Sequence, residues 1–419
     1  MKNPYGTKIK KPNGALYFIV FILLFPFLKI CFRLKIGRSG YTPPKGAFIV
    51  MANHQSFMDF LLVMLSVYPR RLNAVTAYKF FLYKPLDRLL PFMGCIPKNL
   101  FDSDISSLKG IFGVIKRGGR VLLFPEGRCS VDGSYMGTAK TTGKLIKKLG
   151  VPVVACHIEG SYTCMPFWRK GFRMGNLRVT LSNLFSPKDT KSLTVDEIRQ
   201  KIDSRLSGRD TEEYGRPFHL YRARRLAEGL QNIIYWCPKC GREFALETDG
   251  NTVRCAACGN AAEMGRGAKL APAPGSAVPE TVHEWYKLQC SCEMRRLSEG
   301  MAPIEIRVGV RVPAEAGKGL KHGGDGILRL SPGGWRFDGI LGGRPTQFFC
   351  PIESVPAIPF DPDDNFQIYA NGAFYAFTPE ENRQACAKYA TIGECAHWRF
   401  ASPVQMTPGH DSGFCDPPA

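Results

Sequence analysis

At 419 residues, with 44% apolar and 22% charged residues, the chain is too long for one ordinary domain and too apolar for a disordered one. Its net charge of +20 is concentrated in the first half, where residues 1–230 hold 38 Lys and Arg against 15 Asp and Glu. A basic half beside an apolar segment points to an anionic membrane surface or a phosphorylated substrate, and with no nucleic-acid motif present a nucleic-acid partner is not expected.

In chain order, residues 15–28 form an uncharged run bracketed by Lys8, Lys10, Lys11 and by Lys29, Arg33, Lys35. As a helix this run spans about 21 Å, short of a hydrocarbon core of roughly 30 Å, and Pro26 adds a kink. Residues 1–36 are therefore expected to anchor the chain, monotopically or as a single span, at the cytoplasmic face of the cell membrane. Bases on both flanks give no orientation, and no small-residue cleavage site follows to suggest a signal peptide.

Residues 47–52 read as a buried strand ending in Asn53 and His54, with Asp59 five residues after the histidine. A strand that stops at a polar residue and passes into a helix puts that residue at the carboxyl edge of an α/β sheet, where ligands bind. There His54 could take a proton from a substrate hydroxyl while Asp59 holds the imidazole. Ser56 and Asp59 also fit a capping box, which would give the aspartate a purely structural task. Helix is expected over 57–67, strand over 72–77, helix over 78–90 and a short strand over 94–97. A further helix, capped by Asp102 or Ser103, runs to about Lys116. A second apolar strand then runs into Phe124-Pro-Glu-Gly-Arg-Cys-Ser130, so two strand ends some seventy positions apart can meet in one cleft.

These blocks resemble the glycerolipid acyltransferase family, whose type member acylates 1-acyl-glycerol 3-phosphate. The family's Asn-His-x4-Asp is matched by Asn53, His54 and Asp59. Its Phe-Pro-Glu-Gly-Thr-Arg-Ser is matched at Phe124, Pro125, Glu126, Gly127 and Ser130, and its Val-Pro-Val-Val strand at 151–154. The resemblance implies a mixed sheet flanked by helices over residues 37–228. It also implies transfer of an acyl group from acyl-coenzyme A or acyl carrier protein to a lysolipid, with His54 and Asp59 catalytic and Glu126 and Gly127 binding the acceptor. The sequence departs from the pattern at Leu100, where the family carries a phosphate-binding arginine, and at Arg128-Cys129 in place of Thr-Arg. Arg128, Lys98 and Lys140 are left as candidates for the acceptor's anionic group. The acceptor is accordingly 1-acyl-glycerol 3-phosphate or, as alternatives, glycerol 3-phosphate or an amino-lipid, and a non-catalytic membrane scaffold is the rival from another class. Neither Ser56 nor Cys129 has a spacing that demands a covalent acyl-enzyme, and none is expected.

Residues 160–176 mix aromatics with bases and read as an interfacial loop. Strand is expected over 177–184, and Thr194 starts a helix. Cys237, Cys240, Cys255 and Cys258 form two Cys-x2-Cys knuckles separated by fourteen residues, the pattern of a closed structural Zn2+ site, so residues 229–268 read as a zinc ribbon. Fifteen cysteines used this way fit a reducing compartment better than a secreted disulfide framework. Residues 269–281 read as a Pro- and Ala-rich linker. Residues 282–402 read as a β-rich domain resembling a pleckstrin-homology barrel, with hairpins turning at 331–334 and 371–372 and a helix opened by Pro379. Residues 403–419 read as a disordered tail, and the sequence is silent on oligomeric state.

Overall fold

The computed structural model describes residues 9–38, 40–100, 104–169, 171–208, 223–300, 303–314 and 318–401. The capping positions Asp102 and Ser103 and the tail after Ser402 lie outside them. The chain divides into two compact units, residues 2–223 and 224–419.

In the first unit, helix α1 (Gly14–Cys31) starts where Asn13 caps it, its side chain accepting from the Leu16 amide at 2.9 Å. It has the length and apolar composition to cross a membrane. One edge is fastened to the unit: the Tyr17 hydroxyl donates to Leu72 O at 2.6 Å and Phe21 stacks on Tyr68. The other edge leaves Phe18, Ile19, Ile22, Leu23 and Ile30 at least half exposed.

A seven-stranded sheet follows, built from β1 (Lys35–Gly37), β2 (Phe48–Ala52), β3 (Asn73–Ala77), β4 (Ile96–Lys98), β5 (Arg120–Leu123), β6 (Val153–Glu159) and β7 (Arg178–Phe185). Its order is β1-β7-β6-β2-β5-β3-β4, with β6, β2, β5, β3 and β4 parallel and β7 antiparallel to β6. All five residues of β2 are buried, as expected for a central strand covered on both faces. Ile49 and Met51 face a core shared with α4 (Ile105–Lys116), α5 (Lys140–Leu149) and α8 (Val195–Leu206), while α2 (Asp59–Val67) packs against β6 and β7. The helix expected over 78–90 is in fact two pieces, a 3-10 turn at Tyr78–Leu82 and α3 (Leu86–Phe92). Pro85, which has no amide hydrogen to donate, lies between them. Asp104 caps α4, accepting from the Ser107 amide at 2.9 Å, and Thr194 with Glu197 forms a reciprocal capping box on α8. Two short helices, α6 (Ser161–Cys164) and α7 (Pro187–Ser192), complete the unit.

The aromatic and basic residues of 160–176 divide. Tyr162, Trp168 and Arg173 are core, with Arg173 lying over the Trp168 ring, whereas Phe172 and Met174 are exposed and Phe172 packs edgewise on Phe27 and at a tilt on Phe32 near the end of α1. The interfacial expectation is thus confined to that exposed pair, because the larger rings fill the space behind the 130s loop.

The second unit opens with a four-stranded antiparallel sheet of β8 (Leu246–Asp249), β9 (Thr252–Cys255), β10 (Ala261–Met264) and β11 (Leu270–Pro272), so the stretch expected to be linker begins as a strand. Helix α9 (Val282–Ser298), not anticipated, carries this sheet's module: Trp285 Nε1–H donates to Trp236 O at 3.0 Å, and the Tyr235 hydroxyl to Glu293 at 2.8 Å. Seven antiparallel strands then follow: β12 (Ile304–Pro313), β13 (Leu320–Ser331), β14 (Gly334–Leu341), β15 (Arg344–Pro351), β16 (Phe360–Asp361), β17 (Asn365–Ala370) and β18 (Ala373–Pro379). They are ordered β15-β14-β13-β12-β18-β17-β16 and followed by α10 (Ala385–Ala401). The β17–β18 turn places Asn371 and Gly372 at positive φ, the geometry their dipeptide favours in hairpins. Pro379 ends β18 and does not open a helix. α10 begins six residues later and reaches Ala401.

Candidate active site

Adjacent parallel strands β2 and β5 end side by side, which brings the polar ends of the two blocks together. Asn53 fastens the end of β2 to β6: its side-chain NH2 donates to Ile158 O and its carbonyl accepts from Ile158 N, both at 2.8 Å. His54 follows. Its main-chain N–H donates to Glu126 Oε1 at 2.6 Å, and its carbonyl accepts from Ser130 N at 2.8 Å. Its Nδ1 lies 3.1 Å from Asp59 Oδ2.

Asp59 is fully buried and heavily engaged. Oδ2 also accepts the amides of Gln55 at 2.6 Å and Ser56 at 2.8 Å, while Oδ1 accepts from the Ser56 hydroxyl at 3.2 Å. The capping and imidazole-holding tasks of the aspartate coexist, because one carboxylate has lone pairs enough for both. This arrangement fixes the histidine tautomer: Nδ1 carries the proton toward Asp59, which leaves Nε2 as the acceptor.

Glu126 braces the site from β5. Its second oxygen accepts the Met136 amide at 2.9 Å, so one carboxylate ties the end of β2 to the 130s loop. The sequence reading made Glu126 an acceptor contact, but its two oxygens are engaged by main-chain donors. Gly127 closes the turn with its N–H on Phe124 O at 3.2 Å and a φ of +80°, a conformation that favours glycine. The 130s loop is held in turn by Asp203, which accepts the Thr138 amide at 2.8 Å and the Tyr135 hydroxyl at 3.1 Å.

Two neighbours of the imidazole were missed by sequence reasoning. The Phe124 ring stacks on it at a centroid distance of 4.0 Å. The Cys129 sulfur lies 3.2 Å from Nε2 and 3.6 Å from Nδ1. The only signal was that both belong to the second block, and a linear spacing cannot say which of its residues faces His54. The His54 side chain keeps 19% of its surface, enough to be reached from outside. Burial pulls its proton affinity down, but the Cys129 sulfur and the Asp59 carboxylate outweigh burial and hold it well above the ordinary 6.5. Burial pushes the Glu126 carboxyl up to about 8, against the lowering pull of its two amide donors.

The remaining candidates spread outward. Arg128 is half-buried in the turn beside Gly127. Lys98 ends β4, at the same sheet edge but two strands beyond β5, and Lys140 is exposed at the start of α5.

In the second unit, the four thiols of Cys237, Cys240, Cys255 and Cys258 lie within 4.8 Å of one another. The 237–258 and 240–255 sulfur pairs are 3.7 and 3.8 Å apart. A tetrahedron of sulfurs each about 2.3 Å from one ion has edges of about 3.8 Å, so the four are spaced to hold a metal ion. Each knuckle folds the same way. Gly241 N and Gly259 N donate to the carbonyls of Cys237 and Cys255, both at 2.9 Å, and both glycines have positive φ.

An imidazole held by a carboxylate at a parallel sheet edge is the equipment of proton-transfer catalysis, and the comparisons show what this segment is similar to. Residues 33–159 match the family model described as Acyltransferase. Chloroplastic 1-acyl-sn-glycerol-3-phosphate acyltransferases from Brassica napus and Arabidopsis thaliana are each 30% identical to the chain, over 192 and 204 residues. These matches cover 43% and 48% of this chain and 52% and 55% of the relatives, so the chain spans about half the length of the curated relatives it matches. Through this segment the chain is similar to glycerolipid acyltransferases. A solved 1-acyl-sn-glycerophosphate acyltransferase from Thermotoga maritima is 21% identical, with a TM-score of 0.39, over 45% of this chain and 76% of that one.

Proposed function

We propose that the protein is a membrane-associated O-acyltransferase that moves a fatty acyl group from acyl-coenzyme A or acyl carrier protein to the hydroxyl of a lysolipid. The acceptor we favour is 1-acyl-sn-glycerol 3-phosphate, giving phosphatidic acid. The single observation that carries this reading is the Asp59–His54 pair at the joined ends of β2 and β5, within the segment that matches the family. In it, His54 Nε2 takes the acceptor hydroxyl's proton as the oxygen attacks the acyl carbonyl, and Asp59 stabilises the imidazolium that forms. Glu126 positions the His54 main chain. Arg128 is the proposed partner of the acceptor's phosphate, with Lys98 and Lys140 further out.

Membrane attachment through α1 is supported by its exposed apolar edge, and orientation toward the cytoplasmic face is part of the proposal. A single structural Zn2+ on the four cysteines is supported by the spacing of their sulfurs, since four thiolates would fill a tetrahedral coordination sphere. The strand order of the β12–β18 sheet, with α10 after its last strand, supports a pleckstrin-homology-like module. Leu100 favours a second reading, acylation of a different acceptor such as glycerol 3-phosphate.

The test is acyl release from oleoyl-coenzyme A and oleoyl-acyl carrier protein against a panel of lysolipids, with His54→Ala in parallel. Release that requires a lysolipid and is lost in His54→Ala supports the reading. Release without any acceptor indicates a thioesterase, and no release with any pair favours a scaffold.

A further inference from the structure

The loop between Ser130 and Ala139 touches the candidate site twice, through Ser130 N on His54 O and Met136 N on Glu126 Oε2. Its far end is gripped by α8. Asp203 Oδ1 accepts both the Thr138 amide at 2.8 Å and the Tyr135 hydroxyl at 3.1 Å, and Arg199 Nε donates to Thr138 O at 3.0 Å. Arg199 and Asp203 stand one turn apart on the same face of the helix, so they hold the amide and the carbonyl of Thr138 between them. The Thr138 hydroxyl closes the arrangement, 2.7 Å from the Tyr135 oxygen. Gly137, at a φ of +88°, lets the chain turn between the residue that serves Glu126 and the residue held by α8.

The helix is itself a fixed reference. Ile198, Ile202 and Leu206 are fully buried in the core that Ile49 and Met51 of β2 share, and Tyr135 packs against the same cluster. The strand that leads to His54 and the helix that holds the loop are thus set against one another by one group of close-packed side chains, which yields little. A loop is otherwise the more mobile part of a fold. Without its clasp, Glu126 would lose the fixed Met136 amide, and with it the position from which Oε1 accepts the His54 amide. Helix α8 lies beyond residue 159, where the match to the family model ends.

We infer that Asp203, assisted by Arg199, is a positioning residue for His54, acting through Thr138, the Met136 amide and Glu126. This rests on the acyltransferase reading above. The path runs through the Asp203–Thr138, Glu126–Met136 and Glu126–His54 hydrogen bonds. Its task is to keep Nε2 where the acceptor hydroxyl meets it. Misplacing a reacting group costs rate without a matching loss of substrate affinity, so the effect falls on kcat. A clasp that served stability alone would leave kcat per folded molecule unchanged.

The experiment measures oleoyl transfer to 1-oleoyl-glycerol 3-phosphate, from whichever of oleoyl-coenzyme A and oleoyl-acyl carrier protein the full-length wild type uses. Hydrogen exchange is read by mass spectrometry on the same samples. Asp203→Ala is expected to lower kcat by about 10–10²-fold, with both KM values within about threefold of wild type. Exchange across 130–139 should quicken while β2 and β6 stay protected. Asp203→Asn keeps an oxygen acceptor and should recover kcat to within about threefold of wild type. Where Asp203→Ala does not fold, Arg199→Ala takes its place and should act in the same direction. In a Glu126→Ala background the path is already cut, so adding Asp203→Ala should lower kcat by less than about twofold. A full further loss there overturns the inference and leaves the acyltransferase reading standing. So does a loss that falls on KM instead, or a kcat in Asp203→Ala within about threefold of wild type, whether or not the loop loosens. Absence of transfer by wild type with either donor overturns that reading, and the inference with it.

Discussion

Two clusters of buried, polarisable side chains, one in each unit, differ in one decisive respect. Around His54, carboxylates are saturated by main-chain amides, but the imidazole itself keeps an accessible edge and an acceptor nitrogen. Around the four cysteines, the ligand atoms face one another, at distances suited to a complete coordination sphere. A site with one unfilled valence can do chemistry. A site with none holds the chain together.

The largest effect that tests this contrast is loss of the metal. Structural zinc binding is worth about 10–16 kcal/mol in small zinc modules, so Cys255→Ser or chelation should abolish the cooperative thermal transition of the 224–419 unit. Elemental analysis should find about one zinc per chain. A metal-free protein that keeps that transition would show the cluster to be dispensable.

Next comes His54→Ala, which should lower acyl transfer by about 10²–10⁴-fold with the circular dichroism spectrum unchanged. Asp59→Ala should do nearly the same to activity and also destabilise the unit. It orphans the Gln55 and Ser56 amides, each costing about 1–3 kcal/mol, a loss a denaturant titration can read.

The pH dependence follows from the same contacts. His54 is raised above 6.5 when folded, and the base must be neutral to work, so kcat/KM should rise with pH on a limb centred above 6.5. Asp59→Asn should move that limb downward. Glu126 is raised by burial from 4.5 to about 8, so the folded state holds a proton that the unfolded chain has released. Its contribution to stability is full below about 4.5 and is lost as pH rises through about 8, and His54 acts in the same sense above 6.5. The midpoint of the first unit should therefore fall across that window, and Glu126→Gln should flatten the fall. The smallest effect is expected from Arg128→Ala: a KM for phosphate-bearing acceptors raised about tenfold, with kcat within a factor of about two. An equal effect on an uncharged acceptor would remove Arg128 from phosphate recognition.

Much of the first unit was legible because its signals are local. An apolar run that stops at Asn53-His54, or at Phe124-Pro-Glu-Gly127, marks a strand end whatever surrounds it, and a Thr194–Glu197 capping box needs only its own four residues. Likewise two Cys-x2-Cys knuckles specify a sphere of four sulfurs, and Asn371-Gly372 specifies its hairpin. Illegible features were those in which distant segments compete for the same residues. The ring-rich 160s loop divides into Tyr162 and Trp168 inside and Phe172 outside only once the 130s loop is in place. Helix α9 has little amphipathic signal because it is packed on several sides, burying His283, Trp285, Gln289 and Glu293.

By itself, then, the sequence determined that a histidine, two carboxylates and four cysteines would stand at turns between regular elements, because turn chemistry and hydrophobic period are short-range properties. Only the tertiary structure decided that Glu126 spends its oxygens on the His54 and Met136 amides, and that the Cys129 sulfur rests on the imidazole. Those facts depend on the pairing of β2 with β5, and strand neighbours are chosen by the whole sheet.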